Sequence, residues 1–570
     1  MRSLDWVVLV LFLLWIVGYG LYKGRTRSHT IQGYLLADKS MPWWAMGLSI
    51  MATQASAITF IGTTGQAYVD GMRFLQFYFG LPIAMVIIAA IVVPRFHKAN
   101  VVTAYEYLEQ RFDAKTRLAT SIIFLIQRGL GVGLALYAPA VVLSLILGWS
   151  EQVTVIVMAG VVIAYAVPGG IRAVTWTDVQ MMILIFIGLV VAFLTAILLL
   201  PSDVSVGDAF YLAGASGRLN AVDLSFDLSN RYNLWSGLFG GMFLALAYFG
   251  TDQSQVQRYL QGKSIGHSRN SLIFNACAKL PLQFFILLTG TMVFVFYQFE
   301  QPPMLFNQAE AVKIERLEGT PLGGRYELAQ EKYRQAHQQR QQVARSLIQN
   351  RHSGTSSPFG ANPSAGPQQL QAANQAVEDA RQEGIQLLRE VNPENEYNDT
   401  NYIFLNFVTN YFPVGVVGLI IAAIFAAAMS SISSELNSLS TTTVIDLYRR
   451  HWKRQAPDAH YVRVAKIGTA FWGVYAAVFA SFVGGIGSLI EAVNSIGSLF
   501  YGSVLGVFVL AFGFPRATGN GAFIGLFVGE IAVIATSVFT DVSFLWYNVI
   551  GCLVVVGVGM AVSAVRKWPA

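Results

Sequence analysis

Cysteine is nearly absent from this 570-residue chain: Cys277 and Cys552 are the two that occur, each inside a long apolar run. That excludes a disulfide framework and a cysteine-based metal site. Charge is scarce as well. Only 12% of residues are charged, against 54% hydrophobic, about half the charged share of an ordinary soluble domain. Catalytic signatures are missing too: there is no Walker A loop, no H-E-x-x-H and no G-x-S-x-G with partners. A soluble core is excluded, and nothing marks an enzyme.

What the chain has in abundance is apolar sequence. Thirteen runs approach the ~20 residues that cross a hydrocarbon core: about 5–22, 43–69, 74–93, 117–147, 152–167, 176–200, 233–256, 270–298, 413–447, 463–483, 487–512, 520–538 and 545–565. The expected fold is an all-α integral membrane protein of about 13 transmembrane helices. The first run follows Met1-Arg2-Ser3-Leu4-Asp5 and ends in Gly18-Tyr19-Gly20 without a small-residue cleavage site, so it reads as a retained span and not a signal peptide.

Basic residues fill every second loop: Lys23, Arg25, Arg27 and Lys39; Arg95, Lys98, Arg111, Lys115 and Arg117; Arg172; Arg258, Lys263 and Arg269; Arg449 to Arg454; Arg516; Arg566 and Lys567. Lys and Arg are retained on the cytoplasmic side, which puts the N-terminus outside and the C-terminus inside a plasma (inner) membrane. The same distribution accounts for the net charge of +6 without a nucleic-acid partner. One segment, 301–401, is rich in Gln, Glu, Arg and Ala. Helix formers run from Arg325 to Arg351 and from Pro367 to Arg389, with a break at Ser353 to Gly360. It reads as a soluble helical hairpin on the outer face, either a spacer or a lid.

Two apolar runs carry unusual punctuation. Met46 to Gly65 is studded with small and hydroxyl residues, and Gly237 to Gly250 is rich in glycine. Such segments suit helices unwound at mid-membrane, where freed carbonyls face a cavity and bind cations; the other reading is close helix packing. They lie five runs apart, the separation that an inverted five-plus-five repeat gives. In the ninth run, Ser430, Ser431, Ser433 and Ser434 cluster in Ala427-Ala428-Met429-Ser430-Ser431-Ile432-Ser433-Ser434-Glu435-Leu436-Asn437-Ser438. Hydroxyls and unpaired carbonyls make an oxygen cage for a hard cation such as Na+, whereas back-bonding to the preceding turn would mark packing only. Asp178, after Trp176-Thr177, reads either as a helix N-terminal acid or as an inward cation ligand. Arg128 lies well inside the fourth run, with three outcomes open: snorkelling, pairing with an acid, or meeting a carboxylate solute.

Ala427-x-x-Ser430-Ser431 with Leu436-Asn437-Ser438, Trp176-Thr177-Asp178, Phe60-Ile61-Gly62, and Gln257-Arg258 after Tyr248-Phe249-Gly250 together resemble the sodium/solute symporter family over nearly the whole chain apart from the insertion. The resemblance implies the LeuT-like five-plus-five inverted-repeat fold, with an extra N-terminal helix and two extra C-terminal helices. The implied division is 1–42 (extra helix and loop), 43–200 (first repeat), 201–300 and 402–513 (second repeat), 301–401 (insertion) and 514–570 (C-terminal helices).

It also implies a sodium-coupled symporter that imports a small polar organic solute (a sugar, sialic acid or small carboxylate) by alternating access. A channel or a transporter-derived sensor is the alternative. Na+ is the coupling ion, with a first site at the Ala52, Ala55 and Ala427 carbonyls and the Ser430 and Ser431 hydroxyls. A second would use Asp178, Ser430, Ser433 and Ser434. The solute-binding residues would be Gln54, Ser56, Thr59, Gln76, Tyr78, Arg128, Tyr248, Phe249 and Lys279. Ala245 and Tyr78 replace an asparagine and a glutamate of the galactose-binding relatives, so the pocket is not theirs. Sodium, the solute and the lipid bilayer are the expected partners; the residues specify no protein partner.

Overall fold

The structure, a computed structural model, describes residues 1–25, 30–315, 320–353, 365–391, 397–483 and 489–565. Ten helices among these residues are long and apolar enough to cross a membrane, fewer than the thirteen runs. The difference has a physical cause in how the runs join. The helix Glu151–Leu198, of 48 residues, contains the fifth and sixth runs; at 1.5 Å per residue it spans about 72 Å, more than twice a hydrocarbon core. It bends at Gly170, where φ is 58° and ψ is −161°. A Cβ there would stand 2.6 Å from the Tyr34 carbonyl oxygen, so the bend requires glycine. The second and third runs likewise merge across Ala57–Ala99, and the seventh forms the shorter helix Ser236–Gly250.

Two spans are broken. The helix Trp43–Gln54 stops, Ala55 (φ −85°, ψ 67°) and Ser56 (φ −69°, ψ 168°) leave helical geometry, and the chain resumes as Ala57–Asp70. The Ser56 hydroxyl accepts from the Thr59 amide and caps the second half. Five spans later Ser236–Gly250 stops in the same way, and Asp252 caps Gln253–Tyr259 by accepting from the Ser254 amide. This second break falls after the glycine-rich stretch, which is itself helical. Its glycines serve packing: a Cβ on Gly237 would stand 1.9 Å from the Gln76 carbonyl oxygen.

The helix Val416–Thr442 runs through the middle of the bundle, packed against Glu151–Leu198, Ala114–Leu147 and both halves of the first broken span. On the periphery, Ser3–Gly24 leans on Glu151–Leu198, and Gly519–Phe539 and Phe544–Val565 pack on Leu489–Gly513. The side chains that these outer helices turn outward are large and apolar, Leu14, Trp15, Ile531 and Leu553 among them, as contact with lipid requires.

The insertion holds the helices Pro321–His352 and Ala365–Val391. They run antiparallel, since Arg325 pairs with Glu390 at 2.7 Å and Lys332 with Glu383 at 2.8 Å. The expected break is only partly visible, because 354–360 lie outside the described residues, as do Arg27, Arg566 and Lys567 of the orientation argument. The hairpin sits on the end of the helix Ile265–Phe299. Arg340 Nη2 donates to the Tyr297 carbonyl at 2.6 Å, Gln341 Nε2 to the Phe299 carbonyl at 2.6 Å, and His337 Nε2 lies 3.1 Å from the Tyr297 and Glu300 carbonyls. These are the orphan acceptors of a helix C-terminus.

The same helix approaches the first broken span without a side chain between them: a Cβ on Gly290 would stand 2.2 Å from the Thr64 carbonyl oxygen. Gly290→Ala is expected to force the two backbones apart and cost about 1–3 kcal/mol. A thermal midpoint equal to that of the unmodified chain would show that this contact yields freely.

Candidate functional site

A cavity of about 130 Å³ lies between the first break and the end of the helix that precedes the second. Seven of the nine expected solute residues line it: Gln54, Ser56, Thr59, Tyr78, Arg128, Tyr248 and Phe249. Gln76 and Lys279 do not. Gln76 is a tether, donating to the Tyr232 carbonyl at 2.9 Å and accepting from the Asp223 amide at 2.8 Å. Lys279 is fully buried behind Tyr78, its Nζ 5.1 Å from that ring's centroid and without a hydrogen-bond partner among the described residues. It reaches the solute space only through the aromatic wall.

The first-site residues gather where the Trp43–Gln54 helix ends. Ser431 Oγ donates to the Thr53 carbonyl at 3.0 Å and to the Ala427 carbonyl at 3.3 Å. Thr59 Oγ1 takes the Gln54 carbonyl at 3.3 Å. The carbonyls of Ala52 and Ala55 are left without a donor among the described residues. Thr53 and Ser431 also line the solute cavity, so the two candidate sites share a wall. Ser430 faces elsewhere: its hydroxyl donates to Asp178 Oδ1 at 2.7 Å, which places it with the second set.

Asp178 is fully buried and stands eight residues beyond the Gly170 bend, two turns into its helix. The helix-terminus reading therefore fails, because that effect fades within the first turn. Ser49 donates to its Oδ2 at 2.5 Å, and Arg258 Nη1 lies 3.4 Å from the same oxygen. Arg258 is not the loop cation that the basic-loop pattern makes of it. It is fully buried at the second broken span, and its Nη2 reaches the Ser434 hydroxyl. Ser434 also meets Thr53 Oγ1 at 2.8 Å. Ser433 bonds back to the Ser430 carbonyl at 3.1 Å, the packing alternative. The cluster is thus divided between packing and reaching across.

Arg128 resolves its three alternatives in favour of an acid, in fact two. Nη1 donates to Glu435 Oε1 at 2.8 Å, while Nη2 contacts Asp252 and donates to the Tyr501 hydroxyl at 2.6 Å. The guanidinium lies 5.6 Å from the Tyr248 ring centroid. Asp252, Glu435, Tyr501, Ser49 and Thr53 all escape a reading of sequence alone. Glu435 and Asp252 did carry a signal, since an ionisable residue in an apolar run needs a partner; what sequence does not supply is which partner.

A membrane bundle in which two broken helices, one repeat apart, border an interior cavity has the architecture of a secondary transporter. The profile of the Sodium:solute symporter family matches residues 34–311 and 388–529, so the chain belongs to that family. It is a multi-pass, sodium-coupled transporter and not an enzyme. The unmatched interval, 312–387, falls within the hairpin insertion. The chain is 27% identical to the sodium/sialic acid symporter SiaT of Proteus mirabilis, over 98% of this chain and 94% of that one. It is 26% identical to the sodium/glucose cotransporter of Vibrio parahaemolyticus, over 92% and 83%. The solved structure of a Na+-coupled sialic acid symporter in a substrate-bound outward-open state superposes with a TM-score of 0.75, at 25% identity, covering 99% of this chain and 98% of that one.

Removing Arg128 leaves two buried carboxylates uncompensated. Arg128→Gln is expected to cost about 3–5 kcal/mol, read as a fall in thermal midpoint, with partial recovery in the Arg128→Gln, Glu435→Gln double variant. Equal midpoints for Arg128→Gln and the unmodified chain would show that the network is not structural.

Proposed function

We propose that the chain imports a small polar organic solute with two sodium ions by alternating access, its N-terminus outside and its C-terminus cytoplasmic in the plasma (inner) membrane. The observation that carries this reading is that Ser431, a member of the first sodium set, also lines the solute cavity, beside Thr53, whose carbonyl it meets. An ion that orders this wall preforms one side of the solute space, and a solute that rests on it holds the ion's ligands in place. The Ala52, Ala55 and Ala427 carbonyls with Ser431 would hold the first ion, with Ser430 swinging between the two sets. Asp178, Ser430 and Ser434 would hold the second, with Ser433 at its edge and Arg258 as the carboxylate's counter-charge when sodium is away.

The relatives transport sialic acid or glucose by name. The cavity favours an uncharged, hydroxyl-rich solute such as a sugar over a carboxylate. Arg128 is already engaged by Glu435 and Asp252, whereas Glu435 Oε2 and Gln54 Oε1 are buried acceptors without donors among the described residues. Buried polar atoms call for partners, and hydroxyl groups supply them. Tyr248 and Phe249, 4.8 Å apart between centroids, give an apolar face for a ring.

A screen of sodium-dependent thermal stabilisation against sugars, sialic acid and small carboxylates tests the class, because a ligand of the native state raises its midpoint. For the solute it finds, sodium should raise affinity by about 5–150-fold, and solute should raise sodium affinity equally. Equal solute affinity in sodium and in potassium would falsify coupled symport. Ser431→Ala should weaken sodium activation by about tenfold or more through loss of a ligand oxygen, with the helix intact.

Asp178 decides the stoichiometry. Transport should depend sigmoidally on sodium, and Asp178→Asn should flatten the curve toward one-site behaviour; a directly measured ratio of one sodium per solute in the unmodified chain would rule the second ion out.

A further inference from the structure

A second, larger cavity of about 600 Å³ lies where the hairpin meets the bundle. Its floor comes from the bundle (Asp70, Arg73, Arg218) and its roof from the hairpin (Arg340, Glu378, Arg381). Four arginines therefore face two carboxylates, and the carboxylates are already engaged. Glu378 and Asp399 both pair with Arg381, the former at 3.6 Å, and Asp70 accepts from the Gln66 amide. Arg218 stacks on Phe294 at 4.5 Å from the ring centroid. None of Arg73, Arg218 and Arg340 has a carboxylate at ion-pair distance among the described residues.

Arg340 is the decisive group. It is 3% exposed, its Nη2 is spent on the Tyr297 carbonyl, and its Nε has no partner among the described residues. A helix C-terminal carbonyl offers a buried cation partial charge, not a counter-ion, and burial already pulls this guanidinium below its ordinary pKa. A buried charge left unpaired is costly. Beside it, Asn374 lines the same cavity; its Nδ2 donates to Ser216 at 3.2 Å, while its Oδ1 has no donor among the described residues. The space thus offers guanidinium forks suited to a planar oxyanion and an acceptor that needs a hydroxyl.

We propose that this cavity binds a small organic oxyanion that also carries hydroxyl groups, a hydroxy acid or sugar acid, at a site separate from the transported solute's and half built by the hairpin. Bound there, the anion joins Arg218 of the bundle to Arg340 and Asn374 of the hairpin and fastens one to the other. The site belongs to this chain's insertion, because Arg340 and Asn374 lie in the interval that the family profile does not match.

The test is calorimetric titration of the purified full chain in potassium buffer, with gluconate as the probe and glucose as its uncharged counterpart. Gluconate should bind and glucose should not. Arg218→Gln and Arg340→Gln should each weaken gluconate by about tenfold or more, and Arg340→Lys, which keeps the charge without the fork, should fall between. Gluconate should also slow amide exchange in Pro321–His352 and Ala365–Val391. Gluconate binding no tighter than glucose, or binding undiminished in Arg218→Gln and Arg340→Lys, would overturn the proposal. Arg218 is half-buried, and its side chain makes no hydrogen bond among the described residues, so the test does not depend on Arg340 variants folding.

Discussion

Within a bilayer no water is available to satisfy a free backbone amide or carbonyl, so a helix breaks only where the broken ends line a cavity or bind something. That constraint organises this molecule. The first interruption, at Ala55-Ser56, faces the interior space, the second, at Thr251-Asp252, follows the helix whose Tyr248 and Phe249 line it, and each half-helix that follows is capped by its own side chain. At the first break the uncapped side points carbonyls toward the serine-rich helix, and at the second the capping aspartate itself reaches Arg128. The chemistry of the transporter is concentrated where regular structure is given up.

Charges in the interior follow the same economy. Two buried arginines, Arg128 and Arg258, come from different spans, and each meets carboxylates contributed by other helices. Such pairs are weak sources of stability against apolar replacements, but losing one member is severe, so they tie distant segments together. Arg258 and Asp178 join the second broken span to the long kinked helix. Arg128, Asp252 and Glu435 join the fourth run, the second break and the serine helix beneath the solute space. Movement of the bundle must carry these pairs along or exchange their partners.

Much of this was legible in the sequence. Apolar runs, the serine cluster and the punctuation of Met46 to Gly65 led to an all-helical membrane bundle with a break in the right segment. The family match agrees with that reading. What sequence could not fix was direction. Asp178 reads equally as a helix N-terminal acid, because Pro168, Gly169 and Gly170 precede it, or as an inward ligand, and the helix bends at Gly170 and continues. Arg258 looked like a loop residue because basic residues cluster nearby, yet the half-helix after Asp252 turns it inward. Lys279 and Gln76 sit on the right spans but behind or above the cavity wall, a matter of rotation that one sequence does not encode.

The seat of the hairpin has a mechanical side. Three side chains of one hairpin helix grip the last carbonyls of Ile265–Phe299, the helix that also touches both halves of the first broken span. The gripping helix has 32 residues, about 48 Å of stiff rod, and is held near its middle, so a tilt of about 10° at its seat would carry the Pro321 end through about 4–5 Å. Arg351 and His352 hold Asp208 at the helix's other end, so the Pro321 end is the one farther from both attachments, and a spin label there would report a tilt of Ile265–Phe299 as a displacement.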